Sequence, residues 1–172
     1  MNQVRAAVLV ASDRASVGVR PDVVGPILVA RLTELGYSAS LEDVVVAPDN
    51  RGLLLGHLYA FAARGVRFIV TTGGTGAAVR DVTPDATRDF IERELPGFGE
   101  LLRAESMKIT IYAAGSRATA GTRGDVLVLN LPGSPSGARE GLDILAKPAS
   151  HVLDLIAGSV ADCKPVRDAE NR

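Results

Sequence analysis

Short apolar runs alternate with longer amphipathic stretches along this chain. Ala6 to Ala11 is uninterruptedly apolar, with β-branched Val8 and Val10, and predicts a buried first strand. Ser12 to Gly25 is polar, carries Gly18, Pro21 and two aspartates, and predicts a loop at that strand's carboxyl end. Pro26 to Leu35 has helical spacing, with proline in the first turn and Gly36 as the stop. Ser38 to Val46 reads as a second strand with the apolar end Val44-Val45-Val46. Pro48-Asp49 opens a helix running to about Arg64, and Gly65 ends it. Val66 to Thr72 is the third strand. Thr83-Pro84-Asp85 predicts a helix start, with Thr83 as N-cap and an acid in the first turn. Phe98 to Met107 predicts a short helix, and Asp125 to Leu131 a strong strand. Pro132-Gly133-Ser134-Pro135 ends that strand before a helix over Ser136 to Ala146. Pro148 starts a last helix to about Ala157, and Lys164 to Arg172 is charged and aperiodic.

Strands alternating with helices predict an α/β fold, a three-layer, mostly parallel sheet with helices on both faces and right-handed crossovers. One domain over residues 1–160 and a frayed tail over 161–172 are expected. In such sheets ligands bind at the carboxyl ends of strands, near a topological switch. The loops Ser12–Gly25, Thr72–Thr83 and Leu131–Pro135 all fall at such ends.

Composition narrows the class. The 172 residues are 47% hydrophobic, with three Tyr, four Phe and no Trp, so the core is aliphatic. Nineteen Lys+Arg against twenty Asp+Glu leave a net charge of -1, which argues against a general nucleic-acid binder. The single Cys163 excludes an internal disulfide framework and fits a reducing compartment. No apolar run is long enough to span a bilayer and the first residues do not resemble a signal peptide. A cytoplasmic protein without membrane contact is expected.

The chemistry concentrates in Thr71-Thr72-Gly73-Gly74-Thr75-Gly76, directly after the third strand, with Asp81 five residues beyond Gly76. Glycines there let the backbone turn sharply and bring N–H groups close to an oxyanion. A carboxylate beside an anion cradle is repulsive unless a cation or proton mediates. The combination points to phosphate chemistry with a divalent metal. The spacing fits neither a Walker A loop nor the dinucleotide fingerprint. Asp49 follows the second strand at the analogous place, and two carboxylates plus phosphate oxygens suit Mg²⁺. Both aspartates also fit a plain helix-start role. Asp13 and Asp22 are equally compatible with turn formation. Asn130 offers donors and an acceptor at the same edge. His57 and His151 read as packing or surface residues, Cys163 has no paired base in view, and no His/Cys cluster has zinc spacing.

An ordered set of motifs carries a resemblance. It comprises Ser12-Asp13, Asp22 with Gly25-Pro26, Pro48-Asp49, Thr71 to Gly76 with Asp81 and Thr83-Pro84, and Leu95-Pro96-Gly97-Phe98. Glu105-Ser106, Ser116-Arg117 with Ala120-Gly121, and Asn130 to Pro135 complete it. Together, over roughly residues 5–158, these resemble the molybdenum-cofactor biosynthesis MogA/MoaB family, which includes the G domains of gephyrin and its plant counterpart.

The resemblance implies a molybdopterin-binding α/β domain, a homotrimer, and Mg²⁺-ATP-dependent adenylylation of molybdopterin with release of pyrophosphate. The product then passes to a partner that inserts molybdate. By motif, Asp49 and Asp81 are the catalytic and metal-binding carboxylates. Ser12, Asp13, Thr72, Gly73, Gly74, Thr75, Gly76, Ser106, Ser116, Asn130, Pro132, Gly133 and Ser134 are the substrate- and nucleotide-binding positions. One departure is Val24, where many relatives carry a serine hydroxyl. A non-catalytic pterin carrier and a nucleotide pyrophosphatase-like domain are the alternative readings.

Overall fold

The computed structural model describes residues 3–159. Its sheet has six strands: β1 (Ala6–Ala11), β2 (Val44–Ala47), β3 (Phe68–Thr72), β4 (Arg93–Glu94), β5 (Ala120–Arg123) and β6 (Val126–Leu131). They lie in the order β2-β1-β3-β6-β5-β4. The pairs β1–β2, β1–β3 and β3–β6 are parallel, while β6–β5 and β5–β4 are antiparallel. The sheet is thus mostly parallel, as the alternation implies. From β1 the chain steps first outward to β2 and then back across to β3. This reversal opens a crevice at the carboxyl ends of β1 and β3.

The helices are α1 (Asp13–Ser16), α2 (Val24–Glu34), α3 (Arg51–Ala63), α4 (Thr83–Phe90), α5 (Pro96–Met107) and α6 (Pro135–Ile156). The period of two along each central strand sorts side chains to two faces. Ala6, Val8, Val10, Phe68, Val70, Leu127 and Leu129 meet α2, α5 and α6 through Leu28, Leu102 and Leu142. Ala7, Leu9, Ile69 and Val128 meet α3 and α4 through Leu54, Leu58, Phe61 and Phe90. Each such leucine or phenylalanine, fully buried, contributes roughly 1.5–3 kcal/mol. Two aliphatic cores hold one sheet and leave its strand ends free for function.

Several boundaries differ from the sequence reading. The loop after β1 is not wholly irregular: Ser12 caps α1, its Oγ accepting from the Ala15 N–H at 3.2 Å. Helix α2 begins at Val24, two residues before Pro26, because the Asp22 carboxylate accepts from the N–H groups of Val24 and Gly25. Val24 packs into the core and also borders the recess beside Ser12 and Asp22, where it presents methyl groups in place of a hydroxyl. The second strand shortens to Val44–Ala47. Ser38 makes only a lone bridge to Arg5, and a 3-10 turn over Leu41–Asp43 intervenes. Helix α3 is capped by Asn50, which frees Asp49 from a capping role. Val82, not Thr83, occupies the N-cap of α4. The two helices expected after Leu131 are one, α6, running through Pro148. Leu145, Ala149 and Leu153 keep one buried stripe across the proline, and that burial outweighs the missing hydrogen bond. Strands β4 and β5 carry no apolar run. The expected tail and Cys163 lie outside the described residues.

Candidate active site

Four loops leave the parallel strands at one edge of the sheet. The chain past β3 turns through Gly73 and Gly74, with φ of +89° and +58°. Both positions are also crowded. A Cβ on Gly73 would strike the Ala11 carbonyl. One on Gly74 would stand 2.6 Å from Thr83 Oγ1 and 2.8 Å from Asp49 Oδ1. Only glycine meets both demands. The Gly73 N–H is given to the Leu131 carbonyl at 3.3 Å, so it is not part of an open anion cradle. Thr72 Oγ1 donates to the Pro132 carbonyl at 2.6 Å and ties the ends of β3 and β6 together.

The aspartates form a cluster. Asp13 and Asp49 exchange hydrogen bonds: the Asp13 N–H donates to Asp49 Oδ2 at 3.1 Å, and the Asp49 N–H to Asp13 Oδ1 at 3.0 Å. Arg80 grips Asp13 with Nε and Nη2 at 2.6 and 2.7 Å. Burial pushes the Asp49 carboxyl above its ordinary range. The Asp13 N–H opposes the rise, the charges of Asp13 and Asp81 add to it, and Arg80 counters them. Asp13 is held low, first by its hydrogen bonds from Arg80. Asp81 accepts from the Ala78 N–H at 2.8 Å, and its Oδ2 lies 2.8 Å from where a Gly76 Cβ would be. Thr83 Oγ1, beside Asp49, is buried with no hydrogen-bond partner. Among the described residues no group of three or more His, Cys, Asp and Glu is arranged to hold a metal unaided.

Arg117 clamps the far side of the glycine loop. Its Nε donates to the Gly76 carbonyl at 3.0 Å, and Nη2 to the Asp81 carbonyl at 2.7 Å and to Asp85 at 2.6 Å. Its own N–H donates to the Thr75 carbonyl at 2.8 Å. One guanidinium therefore fixes both ends of the 76–81 excursion. Sequence reasoning assigned Arg117 no role, because no spacing distinguishes a bracing arginine from a surface one.

A cleft of about 560 Å³ opens on the other side of Gly76. Thr75, Gly76, Ser106, Ser116, Gly133 and Ser134 line it, with Pro132. Leu102, Tyr112 and Ile109 supply apolar wall. Its size suits a ligand of drug or nucleotide dimensions. A smaller recess of about 90 Å³ is lined by Ser12, Asp22, Thr72 and Gly73.

The family described as "Probable molybdopterin binding domain" matches residues 7–151. A molybdopterin adenylyltransferase of Helicobacter pylori is 39% identical over 160 residues, covering 92% of this chain and 91% of that protein. This chain belongs to the molybdenum-cofactor biosynthesis MogA/MoaB family. The molybdopterin adenylyltransferase of Escherichia coli K12 is 38% identical over 154 residues, covering 89% of this chain and 79% of that protein. The molybdopterin biosynthesis enzyme MoaB of Thermus thermophilus superposes with a TM-score of 0.83 at 39% identity, over 91% of this chain and 98% of its own. The adenylyltransferases are nucleotidyltransferases, the enzyme class of the family's named relatives.

Among the positions that the MogA/MoaB resemblance marks, the fold gathers most at one edge. Asn130 is the exception. It is buried, and its side chain accepts from the Thr119 N–H and donates to the hydroxyls of Thr71 and Thr87 at 2.8 Å each. With its hydrogen-bonding capacity spent inside, it braces the sheet and does not line the cleft. Ser134 caps α6, its Oγ accepting from the Gly137 N–H, while also facing the cleft. His57 lies half-buried in α3, away from these loops. No described helix is long and apolar enough to cross a membrane.

Proposed function

We propose that this chain transfers the adenylyl group of ATP to the terminal phosphate of molybdopterin, releasing pyrophosphate. The observation that carries the reading is the place of Gly76. It is wall to the cleft, and the Asp81 carboxylate fills the space where a side chain at this position would start, 2.8 Å from an ideal Cβ. A pterin in the cleft would present its phosphate at that boundary, next to Asp49 and Asp81. A phosphate oxygen of the pterin bonds to the α-phosphorus, and the bond to the β-phosphate oxygen breaks. Its electron pair leaves with pyrophosphate. The attacking oxygen is already ionised, so no general base is required.

The oxygen set fits Mg²⁺. Asp49 Oδ1 and the unpartnered, buried Thr83 hydroxyl are hard oxygen donors that both face the Gly74 turn, and Asp81 lies close enough to raise the Asp49 carboxyl. Asp49 and Asp81 would hold the ion, which supplies charge neutralisation on the triphosphate and leaving group. This chain's own share is positioning. The glycine turn keeps backbone close to the phosphates, Arg117 holds the loop that carries Asp81, and the cleft orients the pterin. On the same reading residues 1–160 form one domain, the protein is a cytoplasmic homotrimer, and its product goes to a molybdate-insertion enzyme.

The test is turnover with purified protein, molybdopterin, ATP and Mg²⁺, following adenylylated pterin and pyrophosphate together. Both are expected in equal amounts. Asp81→Asn is expected to lower turnover by at least about 100-fold while keeping pterin affinity. Tight pterin binding without product would make the protein a carrier, and equal loss of binding and turnover in Asp81→Asn would remove the catalytic assignment.

A further inference from the structure

Arg80 makes a pairing that adenylyl transfer as described does not use. Its guanidinium meets the Asp13 carboxylate edge to edge, with Nε to Oδ2 at 2.6 Å and Nη2 to Oδ1 at 2.7 Å. Asp13 is in turn locked to Asp49 by the paired backbone hydrogen bonds, and Asp81 is the next residue in sequence. Three carboxylates and one guanidinium therefore share this end of the crevice, a sum of -3 and +1, or -2. A triphosphate entering such a place meets repulsion unless positive charge turns toward it.

The pair is built to be exchanged. The Arg80 side chain is 66% exposed and that of Asp13 is 41% exposed. Solvent and salt screen an ion pair this exposed, so even a two-point pair, stronger than most at a surface, stays open to exchange. The planar fork that matches a carboxylate matches a phosphate equally well. A nucleotide can thus take Arg80 from Asp13 with no loss in the number of hydrogen bonds. The short link from the Gly74 turn to Arg80 keeps the guanidinium within the same loop whichever partner it holds.

We propose that Arg80 is a polyphosphate-binding side chain that Asp13 holds back in the free protein and that the β- and γ-phosphates of the nucleotide draw away. The inference rests on the adenylyl-transfer reading for its choice of nucleotide. Asp13 then acts as a competitor for the guanidinium, and its removal strengthens nucleotide binding.

Calorimetric titrations without added metal, using ATP, inorganic pyrophosphate and AMP, test this. Arg80→Gln is expected to weaken ATP and pyrophosphate about tenfold and to leave AMP unchanged. Asp13→Asn is expected to tighten both polyphosphates about threefold, and the double variant to match Arg80→Gln. Wild-type pyrophosphate affinity in Arg80→Gln would overturn the proposal. So would weaker ATP binding in Asp13→Asn, or AMP affinity that falls with that of ATP, since either marks a merely structural pair. If wild type yields no adenylylated pterin while the binding pattern appears, adenylyl transfer fails and the role of Arg80 stands. If product forms while Arg80→Gln binds ATP normally, the reverse holds.

Discussion

Gly74 shows how little room the site leaves at the scale of single residues. With φ of +58° and two oxygens within 3 Å of any Cβ, it admits no side chain. Gly74→Ala is expected to destabilise the protein by about 1–3 kcal/mol, read from the shift in urea midpoint. Asp49 offers a second test. Its carboxyl titrates above its ordinary value of 3.8, chiefly through burial. Such a group favours the fold while protonated, an advantage fully present below the unfolded value and lost as pH rises through the raised folded one. Asp49→Asn keeps the acceptor for the Asp13 N–H and has no charge to desolvate. Its melting temperature should exceed that of wild type at pH 7, and the two melting curves should converge as pH falls below about 3.8. The motif residues Asp49, Asp81 and Gly73 to Gly76 could be singled out from the sequence because they recur together at strand ends in an ordered set, where each alone also fits a turn or a helix start. Asn130 stood among them in the motif, yet its three internal hydrogen bonds reflect a threonine-rich surrounding that only folding assembles.

At the scale of elements, the central strands and the helices that cover them were legible because their burial writes a period into the chain. Strands β4 and β5 were not, since Arg93-Glu94 and Ala120 to Arg123 form by pairing to a finished sheet rather than by their own apolar pattern. Helix α6 was split at Pro148 for a local reason that tertiary packing overrode. Proline there lacks the N–H that would bond the Ile144 carbonyl. Pro148→Ala restores it, and the gain exceeds the entropy returned to the unfolded chain. Stability should rise by about 1–2 kcal/mol, measured by urea unfolding.

At the scale of the molecule, ligand and fold are linked. The cleft draws its walls from the loop after β3, the loop after β6, and helices α5 and α6, so a ligand bridging them opposes their separation. A pterin present at about 100 times its Kd should add about 2.7 kcal/mol. For a chain of this size that corresponds to a rise of roughly 5–10 °C in melting temperature, seen by scanning calorimetry.

The two rims of the sheet are unlike. On one side β4 is two exposed, charged residues, with Glu94 also bound by Arg88 and by the Thr119 hydroxyl. A ribbon that ends so abruptly offers almost no template for another chain's backbone. Growth by strand addition is thereby closed at that rim and left to the four-residue β2 on the other. For a chain this rich in valine and leucine, a rim that short and charged works against end-to-end stacking through its sheet.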